Sequence, residues 1–385
     1  MDKNIIETFL DKRLVTNYNS RKSYRINLNK YFSVIKKDMN TYFNETKPLE
    51  EYEDDLNKVY MQQEENNKPF LSRKNYFSII KLFMKHYDKR TADMEFWGIL
   101  RGKTKGAEPE SDEDILNKET IKKIISHGNT CSRALFLMLA SSGRRIGEIL
   151  ALYPEDIDTS TTPATLNVKK TYDISKPDKV HLTTKTKQKT LCFISEEAKE
   201  AYLTWMKERD TYLKNAVYRT RKHTNKNPDD KRVFPMGYDN ALVMWTNLLV
   251  KAEYAERKEV TIKGKKKKKI VTGKDENTRR LLKHPHALRK YFISYLGDYP
   301  LADYLAGHYT TMTKAYNKMT IEDRGAAYTK LMMNVTFFSN APDLSGMHDE
   351  IKELKDENQK LRNYLQDMDQ DLKKLLRQDD KKNKK

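Results

Sequence analysis

HALRKYFISYLGDYPLADYLAGHYTTMTKAY, residues 286–316, decides how the rest of the chain is read. It begins His286-Ala-Leu-Arg289, passes through Gly307-His308 and ends on Tyr316, which the spacing places on a following short helix. Two imidazoles, a guanidinium and a phenol in one short segment suit phosphodiester chemistry. The guanidinium can hold phosphate oxygens, the imidazoles can move protons near neutral pH, and the phenol can act as a nucleophile. His284, His286 and His308 also invite a metal reading. Their spacing brings no clustered Asp, Glu or Cys with it, so no metal ligand set is expected.

The whole chain fits a nucleic-acid partner. Its 385 residues carry 74 Lys and Arg against 55 Asp and Glu, a net charge of +19. Such an excess points to a polyanion, either nucleic acid or an anionic membrane surface. No apolar run reaches the roughly 18 residues of a membrane span, and Met1-Asp2-Lys3-Asn4 lacks the apolar core of a secretory signal. Cys131 and Cys192 sit in apolar surroundings, which suits a reducing compartment better than a disulfide framework. The length allows two ordinary domains.

Residues 1–100 read as a helical domain. Tyr24, Leu28, Tyr31, Phe32 and Ile35 fall on one helical face, and a second helix is expected after Ser72 as N-cap, with Phe77, Ile80, Phe83 and Tyr87 as its apolar side. Arg21, Lys22, Arg25, Arg73 and Lys74 decorate these two helices. They are either a solvated polar face or phosphate contacts along DNA. Residues 101–110 (RGKTKGAEPE), with two glycines and a proline, read as a linker. A second domain, 111–338, is expected to open on Ser111 and the acidic turn behind it.

Leu135 to Ala140 is the most apolar run, a buried helix stopped by Gly143. The chain then reads Arg144-Arg145-Ile146-Gly147-Glu148-Ile149-Leu150-Ala151-Leu152. Ile146, Ile149, Leu150 and Leu152 line one side, leaving Arg145 at a helix start beside the core. A guanidinium there needs a partner or a purpose. An Arg145–Glu148 pair would be the ordinary account. The stretch from Gly143 to Leu152 is also similar to the motif T-G-x-R-x-x-E-L-x-x-L of the tyrosine recombinase (phage integrase) family, with Ser142 in place of Thr. The segment 286–316 resembles that family's H-x-x-R, L-G-H and tyrosine. It departs from the pattern at Ala306, at Lys290 and in a His308-to-Tyr316 spacing one residue short.

Further elements follow in order. Thr165 to Val168, Val180 to Thr184 and Thr190 to Ile194 read as a small antiparallel sheet, with Lys185 and Lys187 in the turn before the last run. Ser195 caps a long helix running to about Arg221. Glu259 to Gly273 reads as a hairpin with the lysines Lys265, Lys266, Lys267, Lys268 and Lys269 near its tip, suited to a phosphate backbone or to solvent. From Met347, apolar residues alternate spacings of four and three through Leu375, with Asn358 at an a position. That reads as a self-associating coiled coil over 346–378, or else as a helix that packs across its own domain or onto a neighbour.

The resemblance implies a mainly α fold with a small antiparallel β-sheet (α+β). It would be a two-domain DNA clamp, with a helical core-binding domain and a catalytic domain; the C-terminal coiled coil read from the heptad spacing departs from that family's plan. It implies a site-specific recombinase or integrase of the archaeal or viral/mobile-element kind, needing no cofactor, that cuts DNA through a 3′-phosphotyrosyl intermediate. Tyr316 would attack, with Tyr309 and Tyr328 as competitors. Arg145 and Arg289 would clamp the phosphate, and Lys185, with Lys187 as second choice, would protonate the leaving oxygen. His286 would help deprotonate the tyrosine, and His308 would hydrogen-bond a non-bridging oxygen. Arg21, Lys22, Arg25, Arg73, Lys74, Lys265, Lys266 and Lys267 would contact DNA. Partners would be double-stranded DNA and further copies of the chain, as a coiled-coil dimer and a tetrameric synapse. No membrane is implied, and the protein would sit in the cytoplasm on nucleoid or host-cell DNA. The same residues leave open type IB topoisomerase-like relaxation, or an inactive DNA-bridging protein.

Overall fold

The computed structural model describes residues 4–13, 18–104, 116–176, 178–184, 190–218, 227–262, 265–270, 281–308 and 318–338. Helices dominate, with small antiparallel sheets among them. The buried apolar residues form two separate clusters, one from Ile6 to Leu100 and one from Leu116 to Phe337.

The first cluster is built by α1 (Ile5–Lys12), α2 (Tyr18–Ile35), α3 (Leu49–Glu65), α4 (Phe70–Tyr87) and α5 (Glu95–Thr104). The periodicity in α2 is real: Leu28, Tyr31, Phe32 and Ile35 are all buried. Its aromatic rings meet edge-on, as in Phe9–Phe83 at 5.1 Å and Phe32–Tyr42 at 5.3 Å, the arrangement ring quadrupoles favour. Two expectations need correction. α4 begins at Phe70 behind Pro69, so Ser72 lies inside the helix rather than capping it. Pro69 holds the N-cap position and has no side-chain acceptor to offer, so the helix starts without a side-chain cap. The stretch expected as linker starts late too, since α5 continues through Arg101 to Thr104. Ser111 lies outside the described residues.

The second cluster begins at α6 (Lys118–Ser126), where the Asn117 side chain accepts from Thr120 N at 2.8 Å. α7 (Thr130–Ser142) is buried along nearly its whole length and ends on Gly143 at φ +63°. A Cβ at Gly143 would come within 2.2 Å of the Phe292 ring, so both the backbone and the packing demand glycine. The short α8 (Ile146–Ile149) follows with Arg145 as N-cap. Next come β1 (Ile157–Asp158), β2 (Ala164–Val168), β3 (Thr171–Tyr172), β4 (Val180–His181) and β5 (Thr190–Ile194).

β1, β2 and β5 form one antiparallel sheet, with Leu166 opposite Cys192, while β3 and β4 pair separately. The run at Val180 therefore does not join the main sheet as expected. Asp173 explains the difference: its carboxylate accepts from Ser175 N and Oγ, folding 171–181 back on itself.

α9 (Glu196–Tyr218) starts where Ser195 Oγ accepts from Ala198 N, and α10 (Tyr238–Lys251) packs Trp245 edge-on to Phe136 at 4.8 Å. β6 (Arg257–Ile262) and β7 (Lys265–Ile270) form a ribbon in which the five lysines run from beside the turn along the second strand. α11 (His286–Tyr295), α12 (Tyr299–Ala306) and α13 (Ile321–Leu331) complete the described chain. Tyr328 on α13 is fully buried and donates its hydroxyl to Ser141 O at 2.8 Å, tying α13 to α7. No helix among the described residues is long and apolar enough to cross a membrane. The expected coiled coil, 346–378, lies outside the described residues.

Candidate active site

Two helix ends meet to make the site. α7 stops at Gly143 and α12 stops at Gly307, and both glycines are left-handed, at φ +63° and +87°. Between these ends lies Arg289 from the first turns of α11, only 3% exposed. Its Nη1 donates to Gly143 O at 2.7 Å and to Ala306 O at 2.6 Å, and its Nη2 meets His308 Nε2 at 2.7 Å. Carbonyl oxygens hold this guanidinium in place without cancelling its charge. Burial and the neighbouring Arg145 and Arg144 push its pKa down to about 10, so it is still a cation at neutral pH.

Arg145 sits at the start of α8 with 26% of its side chain exposed, and its Nη1 donates to Glu148 Oε1 at 3.1 Å. The ordinary ion pair exists, and the arginine still presents part of its side chain to solvent. His286 opens α11 at the surface. Desolvation and then the charges of Arg289, His284, Arg145 and His308 hold its imidazole down to about 4, so it is neutral at physiological pH. His308 follows Gly307 directly and keeps 40% of its side chain exposed. Arg145, His286, Arg289 and His308 thus come together across some 160 residues of sequence, each near enough to perturb a neighbour's charge.

Three residues in this site were not singled out from the sequence. Arg144 is 2% exposed, donates from Nε to Cys192 Sγ at 3.2 Å, has Nη1 3.8 Å from Glu148 Oε2, and leaves Nη2 buried with no partner. A Cβ at Gly307 would come within 2.6 Å of its Nη1, so this arginine also fixes what can follow α12. Cys192 is the buried thiol beneath it, raised by burial. Asp303 is 4% exposed and meets His308 Nδ1 at 2.5 Å. Its only sequence signal is a carboxylate five residues before a histidine, straddling a glycine helix stop. Three guanidiniums and three imidazoles therefore surround two buried carboxylates, Glu148 and Asp303. Such a pocket suits an anion. Among the described residues no cluster of His, Cys, Asp and Glu could hold a metal.

The Tn1549 transposon integrase, solved with circular intermediate DNA, matches 84% of this chain and 97% of its own at TM-score 0.52 and 14% identity. This chain has the tyrosine-recombinase integrase fold. A Tyr-to-Phe variant of the same integrase fragment with transposon right end DNA matches 85% of this chain and 97% of its own, at TM-score 0.52 and 14% identity. An Arg-to-Lys variant with a second circular intermediate DNA matches 85% and 98%, at TM-score 0.51 and 14% identity. No protein-family profile and no curated protein sequence matches this chain.

Within that fold, the other candidates are placed unevenly. Lys185, Lys187, Tyr309 and Tyr316 lie outside the described residues. Tyr328 is a core residue, and burial raises its hydroxyl well above the ordinary range. Arg21 and Arg25 on α2 both donate to Glu7, Arg21 also reaches Asp11 at 3.0 Å, and Arg73 on α4 bonds Glu64 at 2.8 Å. Lys22 and Lys74 are exposed beside them. Lys265, Lys266 and Lys267 fall on β7.

Proposed function

We propose that this protein is a site-specific DNA strand transferase, a tyrosine recombinase that integrates or excises a mobile element. The observation that carries the reading is Arg289. It is a buried guanidinium held by two backbone carbonyls at the meeting of two helix ends, beside Arg145, His286 and His308. A pentacoordinate phosphorus gathers negative charge, and two guanidiniums offer it paired donors in a fixed fork that lysine lacks. Tyr316 attacks the phosphorus, and a 3′-phosphotyrosyl bond forms as the P–O5′ bond breaks. Lys185 gives the departing 5′ oxygen its proton. The covalent link conserves the energy of the broken bond, so another strand's 5′ hydroxyl can reverse the step.

In this reading residues 1–100 form the other half of a clamp around double-stranded DNA, joined through a linker to the catalytic domain 111–338. Lys22, Lys74 and the ribbon lysines Lys265, Lys266 and Lys267 meet phosphates, with Arg21, Arg25 and Arg73 near the same surface. The tail over 346–378 pairs copies as a coiled coil, and four protomers assemble on two sites. The protein works on DNA in the cytoplasm.

The test is a nicked suicide duplex incubated with purified protein in EDTA and run on a denaturing gel. A covalent adduct that disappears in Tyr316→Phe is expected. An adduct surviving Tyr316→Phe would move the nucleophile elsewhere. Relaxation of a supercoiled plasmid without strand exchange would favour a topoisomerase. Salt-sensitive binding without adduct on any target would favour a bridging protein.

A further inference from the structure

Asp303 has no part in the scheme above, yet it is buried against His308, a histidine that keeps 40% of its side chain exposed. Its Oδ1 meets His308 Nδ1 at 2.5 Å, and its carbonyl accepts from His308 N at 3.0 Å. On the other edge of the ring, Nε2 lies 2.7 Å from Arg289 Nη2. A guanidinium has only hydrogens to offer, so Nε2 is the acceptor and carries no proton. The proton of the neutral ring therefore sits on Nδ1 and is donated to Asp303. An imidazolium would set two donors against each other at that distance. The result is a directed chain in which Arg289 donates to His308 and His308 donates to Asp303.

On the strand-transfer reading, we propose that Asp303 is a positioning residue that fixes this tautomer and makes His308 Nε2 the proton acceptor for the attacking tyrosine. This reverses the division implied by the resemblance, in which His286 helps the tyrosine and His308 donates to a phosphate oxygen. A neutral His308 in this tautomer has no proton to give a phosphate oxygen from Nε2. When a phosphate draws Arg289 Nη2 to itself, the Nε2 lone pair is released beside the reacting phosphorus. The tyrosine oxygen then bonds to phosphorus, its proton passes to Nε2, the P–O5′ bond breaks, and the leaving oxygen takes a proton from Lys185. On religation His308 returns its proton to the departing tyrosine. Asp303 stabilises the imidazolium that exists between the two steps without itself being protonated. His286 is poorly suited to that role. Burial first, and then the guanidiniums of Arg289 and Arg145 together with the neighbouring imidazoles, hold its imidazole down to about 4. The charged groups around His308 are Asp303 on α12, Arg289 on α11 and Arg144 beneath Gly307, and the titratable neighbour is the neutral His286.

Two measurements test this. Long-range 1H–15N correlation spectra of the wild-type protein, with His308→Gln for assignment, should show His308 protonated on Nδ1 and bare on Nε2. An Nε2–H ring as the major form overturns the proposal without needing any variant at Asp303 to fold. Adduct rates are then compared on a nicked duplex with an ordinary phosphate and on one with a 5′-bridging phosphorothiolate, whose thiolate leaves without a proton. Asp303→Asn should slow both substrates equally, by about 100-fold, and shift the pH profile, as loss of a general base does. Lys185→Ala should recover on the phosphorothiolate. Recovery of Asp303→Asn there would place Asp303 on the leaving-group side and overturn the acceptor role. A wild-type protein that forms no adduct on either substrate would sink the strand-transfer reading and the acceptor role with it, whatever tautomer the spectra show.

Discussion

Guanidiniums are used differently at the two ends of this chain. On α2 and α4, Arg21 and Arg25 share Glu7, and Arg73 takes Glu64. Around Gly143 and Gly307, Arg145 and Arg144 share the one carboxylate of Glu148, Arg144 keeps an Nη2 with no partner, and Arg289 is held by carbonyls and an imidazole. Paired charge pins helices together. Charge that is buried and held by neutral groups keeps its field, and that field is available to an incoming anion. The comparison teaches that counting basic residues says little about where DNA is handled. What their side chains are already bonded to says more.

The contrast can be broken most sharply at Arg289. Arg289→Lys should lower the adduct rate at least about 100-fold, roughly 3 kcal/mol of transition-state stabilisation, because one ammonium cannot serve two carbonyls and a phosphate. Rates on a suicide duplex at saturating protein check this. Arg144→Met should act in the other direction on stability. Replacing a buried, under-partnered guanidinium with an apolar side chain of similar length should leave unfolding unchanged or raise it by up to about 2 kcal/mol, read by urea denaturation. A large loss there would mean that Arg144 is as well paired as the N-terminal arginines.

At the other end, Arg25 and Arg21 hold the Glu7 carboxyl down to about 2, below its ordinary value of 4.5. A depressed acid stabilises the fold above its unfolded value and loses that contribution as pH falls toward the folded one. Glu7→Gln should therefore cost on the order of 1 kcal/mol near neutral pH, small because the pair is partly exposed. It should also flatten the stability profile between pH 4.5 and 2, measured by denaturation across that window. The smallest effects are expected from the lysines. Lys22→Ala with Lys74→Ala should reduce the slope of log affinity against log salt by about one per lysine while leaving stability unchanged. Arg25→Ala should do the reverse.

Periodicity made much of this architecture legible. The buried face of α2, the apolar α7 and its glycine stop, and the strands at 165–168 and 190–194 are all where side-chain spacing puts them. That four described candidate residues would lie together was legible for a different reason: short motifs fix residue type and local spacing, and the fold brings Arg145 near Arg289. What escaped was set by partners far apart in sequence. Nothing within reach of Arg21 in α2 announces Glu7 in another helix, so its pairing was invisible. Asp303 was not singled out because its histidine lies beyond a helix end. Nor was Arg144, since only the packed core shows that it lies against Cys192.

The central claim is that the cationic pocket serves a covalent attack on DNA by Tyr316. Digestion of the adduct formed in EDTA, followed by mass spectrometry of the nucleotide-bearing peptide, tests it most directly. The expected result is a 3′-linked nucleotide on Tyr316, and none when Arg289 is lysine. A nucleotide on Tyr309, or on a residue outside this segment, would contradict the account.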